Sequence, residues 1–441
     1  MSLASIANKC MPRRAVHALR RGYRTCSPDA RRNAKYIKKN LRMKREGSLP
    51  IKVGFVVQMP EVWDKQAALF ERMLGDDRFD PYILVAPAYD FVNKKVMEEA
   101  NPEAAWYREK YADASDRVID YPADAFFPDY NKEAGFEYIF YDRPYDHYLP
   151  EGLQTGAVMQ AAKIAMINYC TTDWEMDDFE YYLFGRHVTM WFASNRVEAA
   201  NFRKGYLQKS WRKAYDIGYP AFEYYRDLAG GTDNGKSDAS AAVSADSTEQ
   251  EPVAGITRFL WTPRWSTAED NMGATSFFTY LEQLIAYFSV HPEVKLTVRP
   301  HPLMFDNFLA KGLMTEAEIS ELKARCAAAN IDFDQNRMIL DTFRETDVLL
   351  TDYSSIISLF LVTGKPVVYC PTDVELTADF ERLLSGMYVA ESWDSLKRYL
   401  NAMREGDDPL FDIRNRIVQK ELLSKKNATG RIMEILVRSR R

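Results

Sequence analysis

The sequence predicts an α/β protein of two doubly wound, Rossmann-like domains facing a cleft, preceded by a basic helical arm. Three observations lead there. The chain has 441 residues, more than one hydrophobic core usually supports, so two domains of roughly 150–200 residues each are expected. Short apolar runs rich in branched residues alternate with helix-length amphipathic stretches through both halves, the pattern of parallel sheets covered by helices. Between Ala229 and Gly255 the composition turns abruptly to Gly, Ala, Ser, Asp and Glu without one aromatic residue. Such a stretch buries too little apolar area to offset its ordering entropy and reads as a mobile linker. The expected divisions are residues 1–50 for the arm, 51–220 for the first domain, 221–255 for a flexible linker or loop, and 256–441 for the second domain.

The arm carries most of the charge asymmetry. Residues 1–45 hold 14 Lys or Arg and one acid, a sum of +13, so the remaining residues sum to −18 within the net −5. No apolar core with a cleavage site follows, which excludes a secretory signal of the usual kind. An acidic body disfavours a long polyanion such as nucleic acid. An anionic membrane surface suits the arm, because Ala15, Val16, Leu19 and Tyr23 fall near helical spacing, as do Tyr36, Ile37 and Leu41. The competing reading is a solvated basic helix packed on the acidic body.

Within the first domain, Ile51–Val57 reads as a buried parallel strand. Trp63, Ala67, Phe70 and Leu74 mark a helix, and residues 81–86, 137–141 and 164–169 are further strands. Beyond the linker come strands at 259–261, 295–299, 347–351 and 366–370, with helices over 276–290 and 354–362. Ligands of such sheets bind outside the carboxyl ends of the strands. With 46% hydrophobic and 27% charged residues the chain is neither disordered nor fibrous. No window holds about 18 uninterrupted apolar residues, which argues against a spanning helix. Five scattered cysteines without a CxxC pair argue against a disulfide framework or a zinc site and for a reducing cytosol. The expected location is cytoplasmic, peripheral on the inner face of the cell membrane.

Two strand ends carry the chemistry. In Thr351-Asp352-Tyr353-Ser354-Ser355 a hydrophobic strand hands over to a helix whose start, with two small hydroxyls, suits an anion. Plain capping by Asp352 or Ser354 is the alternative, and Gly364 closes that helix as a C-terminal glycine does. In Arg299-Pro300-His301-Pro302 a permanent cation and a histidine project from a strand end held by two prolines. Trp261-Thr262-Pro263-Arg264-Trp265 offers another cation at a strand end, and Asp373 follows the strand ending at Cys370. His17, His147, His187 and His291 have no local partner pattern. The absence of Walker, GxGxxG, HExxH and GxSxG patterns argues against ordinary ATPases, dehydrogenases, zinc proteases and α/β-hydrolases.

Taken together, Gly218-Tyr219-Pro220, Trp261-Thr262-Pro263-Arg264-Trp265, Arg299-Pro300-His301-Pro302 and Thr351-Asp352-Tyr353-Ser354-Ser355, with Gly364-Lys365-Pro366 leading to Asp373, resemble the CDP-glycerol glycerophosphotransferase family. The resemblance covers residues 185–375 and extends more loosely over 51–185, where Pro60-Glu61-Val62-Trp63 and Arg143-Pro144-Tyr145-Asp146 are similar to a subset of members. It implies a GT-B architecture with the donor held by the second domain and the acceptor by the first. It also implies transfer of a polyol phosphate, glycerol phosphate first, from a CDP-linked donor to a hydroxyl of a glycan or lipid-linked acceptor in teichoic-acid or capsule synthesis. No cofactor or metal ligand set is implied. Donor contacts would come from Arg264, Arg299, His301, Thr351, Asp352, Ser354, Ser355 and Asp373. The family's presumed base, a histidine in a His-Gly-Thr-Pro stretch, is replaced within Ile167-Asn168-Tyr169-Cys170-Thr171-Thr172-Asp173. Asp173 is the acid left there to serve as base, with His301 protonating or hydrogen-bonding the departing CMP. The rival expectations are another nucleotide-sugar enzyme on the same fold, a glycosyltransferase or UDP-sugar 2-epimerase, and a nucleotide-binding module without catalysis.

Overall fold

Ile51–Val57 forms β1, with all but Lys52 buried, as a strand covered on both faces should be. The computed structural model to which it belongs describes residues 31, 32, 35, 50–97, 101–171, 184–205, 213–226, 256–267, 274–374 and 376–440. Two compact units emerge, one of Met1–Glu223 with Lys425–Arg441 and one of Tyr224–Ser424. Arg31, Arg32 and Lys35 are helical and exposed. Apart from these and Pro50, the expected arm 1–50 lies outside the described residues, as do residues 227–255 of the expected linker.

In unit one, β1 is followed by β2 (Phe79–Val85), β3 (Val118–Asp120), β4 (Tyr138–Tyr141), β5 (Lys163–Ile167), β6 (Met190–Ala193) and β7 (Lys213–Asp216). The seven make one parallel sheet in the order β3-β2-β1-β4-β5-β6-β7. Helix α1 (Asp64–Leu74) crosses from β1 to β2. Its Phe70 sets its ring edge-on to Phe55 at 5.7 Å, and Trp63 does the same at 5.9 Å, geometries that add to the burial of large rings.

Unit two repeats the plan with β8 (Thr257–Thr262), β9 (Val294–Val298), β10 (Ile331–Phe333), β11 (Val348–Thr351), β12 (Val367–Tyr369) and β13 (Tyr388–Val389), ordered β10-β9-β8-β11-β12-β13 and all parallel. Helix α2 (Phe277–Ser289) crosses from β8 to β9, and α3 (Ile356–Leu361) from β11 to β12. Past α3, Gly364 takes φ +78°, a left-handed conformation that glycine adopts at no steric cost. Each sheet reverses its winding once, between β1 and β4 and between β8 and β11, and these switch points are where open α/β sheets hold ligands.

Within the two units, the strands and helices expected from 51 to 370 form, within a few residues of their predicted ends. The additional strands β3, β6, β7, β10 and β13 run two to four residues, too short for an alternation signal. The second domain was expected to run to residue 441. Instead helix α4 (Ala428–Arg440) belongs to unit one. It buries Ile432, Met433 and Leu436 there, while the Tyr138 hydroxyl donates to the Leu436 carbonyl at 3.0 Å and Lys163 Nζ to that of Ser439 at 3.0 Å. Among the described residues no helix is long and apolar enough to cross a membrane.

Candidate functional site

The switch point of unit two gathers most of the residues singled out by sequence. β8 lies between β9 and β11, with Thr262 paired to Thr351 and Trp261 to Val298. The loops that begin at Pro263, Arg299 and Asp352 therefore leave neighbouring strand ends.

Asp352 joins these loops. It is fully buried, and its Oδ2 accepts the backbone N–H of Arg264 at 2.8 Å, that of Ser276 at 3.0 Å and the Thr275 hydroxyl at 3.1 Å. The carboxyl thus takes the place that an anion would take at the start of α2. Burial raises its pKa above the ordinary carboxylate value, against the lowering effect of these bonds. Its Oδ1 is buried without a hydrogen-bond partner. Thr351 is equally buried, accepting from the Thr262 hydroxyl at 2.8 Å and donating to the Asp352 carbonyl at 2.8 Å. Both side chains tie strand ends together from beneath.

Above them sit Arg264, Trp265, His301 and Tyr353. The Arg264 guanidinium lies 5.8 Å from the centre of the Tyr353 ring and donates to the Tyr353 carbonyl at 3.3 Å. Burial pulls its pKa down from the usual arginine value while the Asp352 charge opposes this. His301 is exposed, with its ring 6.0 Å from that of Trp265. Its Nδ1 accepts the Leu303 N–H at 3.1 Å, so the proton of the neutral ring is on Nε2. Surrounding protein atoms that displace water, and then the Arg264 charge, lower its pKa to about 4. The surface remains open, so this is crowding rather than enclosure. At neutral pH His301 is a hydrogen-bond donor through Nε2, not a cation. Ser354 and Ser355 are half-buried beside Tyr353, and the Ser354 hydroxyl accepts weakly from Ile356 N at 3.4 Å.

Arg299 departs from its expected part. Its guanidinium pairs with Asp334 at 2.5 Å and donates to the carbonyls of Asn336 at 2.7 Å and Arg337 at 3.0 Å and to the Thr342 hydroxyl at 3.3 Å. These contacts tie the end of β9 to the segment that follows β10. Asp373 is exposed past β12, and Asp173 lies outside the described residues. Thr275, Ser276 and Asp334 were missed by sequence reasoning; no local motif marks them.

Unit one has a matching switch point. Asp142, the first residue after β4, is buried and accepts the backbone N–H groups of Gln58 at 2.7 Å and Met59 at 3.1 Å. Arg143 donates to the Gln58 side chain at 2.9 Å.

Two doubly wound units, one with a cationic and hydroxyl-bearing switch point, define a GT-B-type protein suited to an anionic ligand. Solved structures share the fold. A UDP-N-acetylglucosamine 2-epimerase matches with TM-score 0.54 at 14% identity, over 88% of this chain and 96% of that one. The Neisseria meningitidis UDP-GlcNAc 2-epimerase bound to UDP-GlcNAc matches with TM-score 0.53 at 11% identity, over 88% and 100%. The wall teichoic acid polymerase TagF matches with TM-score 0.48 at 13% identity, over 96% of each chain. No curated protein sequence matches the chain. The model of the CDP-glycerol:poly(glycerophosphate) glycerophosphotransferase family matches residues 175–435. The chain belongs to that family, and its enzyme class is glycerophosphotransferase.

Proposed function

We propose that the chain transfers glycerol phosphate from CDP-glycerol to a hydroxyl of a glycan or lipid-linked acceptor during synthesis of a bacterial teichoic acid or capsule. The observation that carries this reading is the Asp352 clamp, which sets Arg264 and Tyr353 at a switch point beside His301 in a chain of this family. Unit two takes the donor and unit one the acceptor.

In the reaction, the acceptor oxygen attacks the phosphorus that bears glycerol. The bond from that phosphorus to the bridging oxygen of CMP breaks, and CMP leaves with the electron pair. Arg264 balances the negative charge that shifts toward the leaving group, and His301 Nε2–H donates a hydrogen bond to it, the kind of contact that strengthens in the transition state. Ser354 and Ser355 add neutral donors. Asp173 takes the acceptor proton. The basic residues of the 1–45 segment support a peripheral site of action on the cytoplasmic face of the membrane.

The test is CMP release from CDP-glycerol with a purified acceptor, beside thermal-shift measurements with CDP-glycerol, CDP-ribitol, CMP, UDP-GlcNAc and CMP-sialate. Stabilisation by CDP-glycerol with acceptor-dependent CMP release is expected. Turnover of UDP-GlcNAc instead would overturn the reading, as would donor binding without any turnover.

A further inference from the structure

Unit one contains a cavity of about 990 Å3 outside the switch point. Its walls come from the segments after β2, β3, β4 and β5, the carboxyl-end side where ligands of such sheets bind. The volume is at the upper end of the range of roughly 300–1,000 Å3 usual for small-molecule pockets.

The walls are built rather than incidental. Gly152 lies directly on the backbone of the preceding wall, where a Cβ would collide with the Ala125 carbonyl and stand 3.2 Å from Phe126 Cα. No other residue permits that approach. Asp146 accepts the Thr155 N–H at 2.7 Å and its hydroxyl at 2.6 Å. With that hydroxyl proton directed at Asp146, the 2.7 Å contact from Thr155 Oγ1 to His187 Nδ1 requires the histidine to donate. His187 Nε2 is then the acceptor for Arg186 Nε at 3.1 Å. A buried histidine thus orients an arginine that lines the cavity.

The lining chemistry discriminates between acceptors. Phe91 and Phe126 line it while remaining 47% and 43% exposed, and Phe91 stands 4.9 Å from the Tyr148 ring. Large rings left facing a cavity mark a binding surface, and their electron-rich faces suit the C–H face of a sugar ring. Among the described lining residues the acids outnumber the bases by one, with Lys94 and Arg186 opposed by Asp124, Asp146 and Glu151. A poly(glycerol phosphate) chain carries one negative charge per unit and has no ring to stack, so it calls for a row of cations instead.

We propose that this cavity binds a sugar ring of the acceptor, with Phe91 and Phe126 as stacking surfaces and Arg186 as the oriented polar contact, and that it selects a glycan end over a bare poly(glycerol phosphate) end. This rests on the transferase reading above.

Saturation-transfer NMR on the full chain, with N,N′-diacetylchitobiose, maltose and a glycerol phosphate trimer as probes, tests it. At least one sugar probe should receive transfer to its ring protons and bind at least tenfold tighter than the trimer. Phe91→Ala and Phe126→Ala should each weaken that sugar at least tenfold while CDP-glycerol binding and circular dichroism stay as in the parent, and Phe278→Ala, an exposed phenylalanine of unit two, should leave it unchanged. With CDP-glycerol bound, the proposal is overturned by sugars that do not bind, by sugar binding that survives both substitutions, or by preference for the trimer. Absence of CDP-glycerol binding in the parent would instead overturn the transferase reading beneath it.

Discussion

Asp142 and Asp352 occupy the same place in the two units. Each is the first residue after the fourth strand of its sheet, each is buried, and each accepts backbone N–H groups from the loop that follows the first strand. In both, burial raises the carboxyl pKa above its ordinary value. The repetition identifies a device of the fold. A parallel sheet leaves the loops on either side of its switch point without a common ladder, and a carboxylate just past one strand end supplies the missing acceptor for the other.

Asp352→Asn and Asp352→Ala should therefore part company. Asparagine keeps an acceptor for Arg264, Thr275 and Ser276 and removes the charge that burial disfavours, so the melting temperature should stay within a few degrees. Alanine leaves those donors unpaired, at about 1–3 kcal/mol for each that stays buried. The raised pKa carries a sign: folding favours the protonated carboxyl, so this contribution is complete below the unfolded value and fades as pH rises through the folded one. The Asn variant should accordingly gain on the parent as pH rises, measured by urea unfolding at several pH values. Equal loss of stability in both variants would refute the account.

Arg299 should behave as half of a pair. Asp334 is 2% exposed, and removing one member of a buried ion pair typically costs about 3–5 kcal/mol, less here because Arg299 is partly exposed. Arg299→Ala and Asp334→Ala are expected to lower the melting temperature alike and to weaken CDP-glycerol only as far as the His301 loop loosens. A donor-binding loss far larger in Arg299→Ala than in Asp334→Ala would return Arg299 to direct donor contact.

The sequence made the strands legible because buried parallel strands are continuous apolar runs, and Ile51–Val57 or Val348–Thr351 resemble little else. The strand-end positions of Arg264, His301 and Asp352 followed from those runs. The direction of Arg299 did not, because its partners Asp334 and Thr342 lie 35 and 43 positions away. The donors held by Asp352 are 76 to 88 positions distant. Helix α4 shows an apolar face in the sequence, but no local signal says which sheet that face covers. Pairings of this separation are decided by topology, which a single sequence carries only through its sum of contacts.

His301 should titrate near pH 4 in the free enzyme, well below an ordinary histidine. Its folded pKa is depressed, so its contribution to stability is present above the unfolded value near 6.5 and is lost as pH falls toward 4. NMR of the His301 ring should give that midpoint, and a bound diphosphate should raise it. His301→Ala should lower kcat by about 10²–10³, the usual effect of removing one preorganised donor, and His301→Gln should recover part of it. Wild-type turnover in a folded His301→Ala would make the ring structural.

The basic segment 1–45 should attach the protein to anionic membrane. Its +13 charge corresponds to about 1 kcal/mol per basic residue that reaches the lipid surface, an attraction that salt screens. Co-sedimentation with phosphatidylglycerol vesicles should be strong at low salt and abolished by deleting residues 1–45, with the melting temperature nearly unchanged. Equal sedimentation of both forms would remove the segment from any membrane role.

Helix α4 should be necessary to unit one. Leu436 and Ile432 are fully buried there, the Glu223 carboxylate accepts the Thr429 hydroxyl at 2.6 Å, and Arg440 pairs with Glu137 at 2.9 Å. Leu436→Ala should cost about 2–5 kcal/mol, the usual range for emptying a buried leucine site. Deleting residues 425–441 would expose that apolar face together with the surface it covers. Hydrogen exchange should then show lost protection in β4 and β5, whose Tyr138 and Lys163 side chains bond to α4, while β8, β9 and β11 of unit two keep theirs. Loss of protection in β8 and β11 with β4 intact would mean that the helix supports unit two, as the sequence alone suggested.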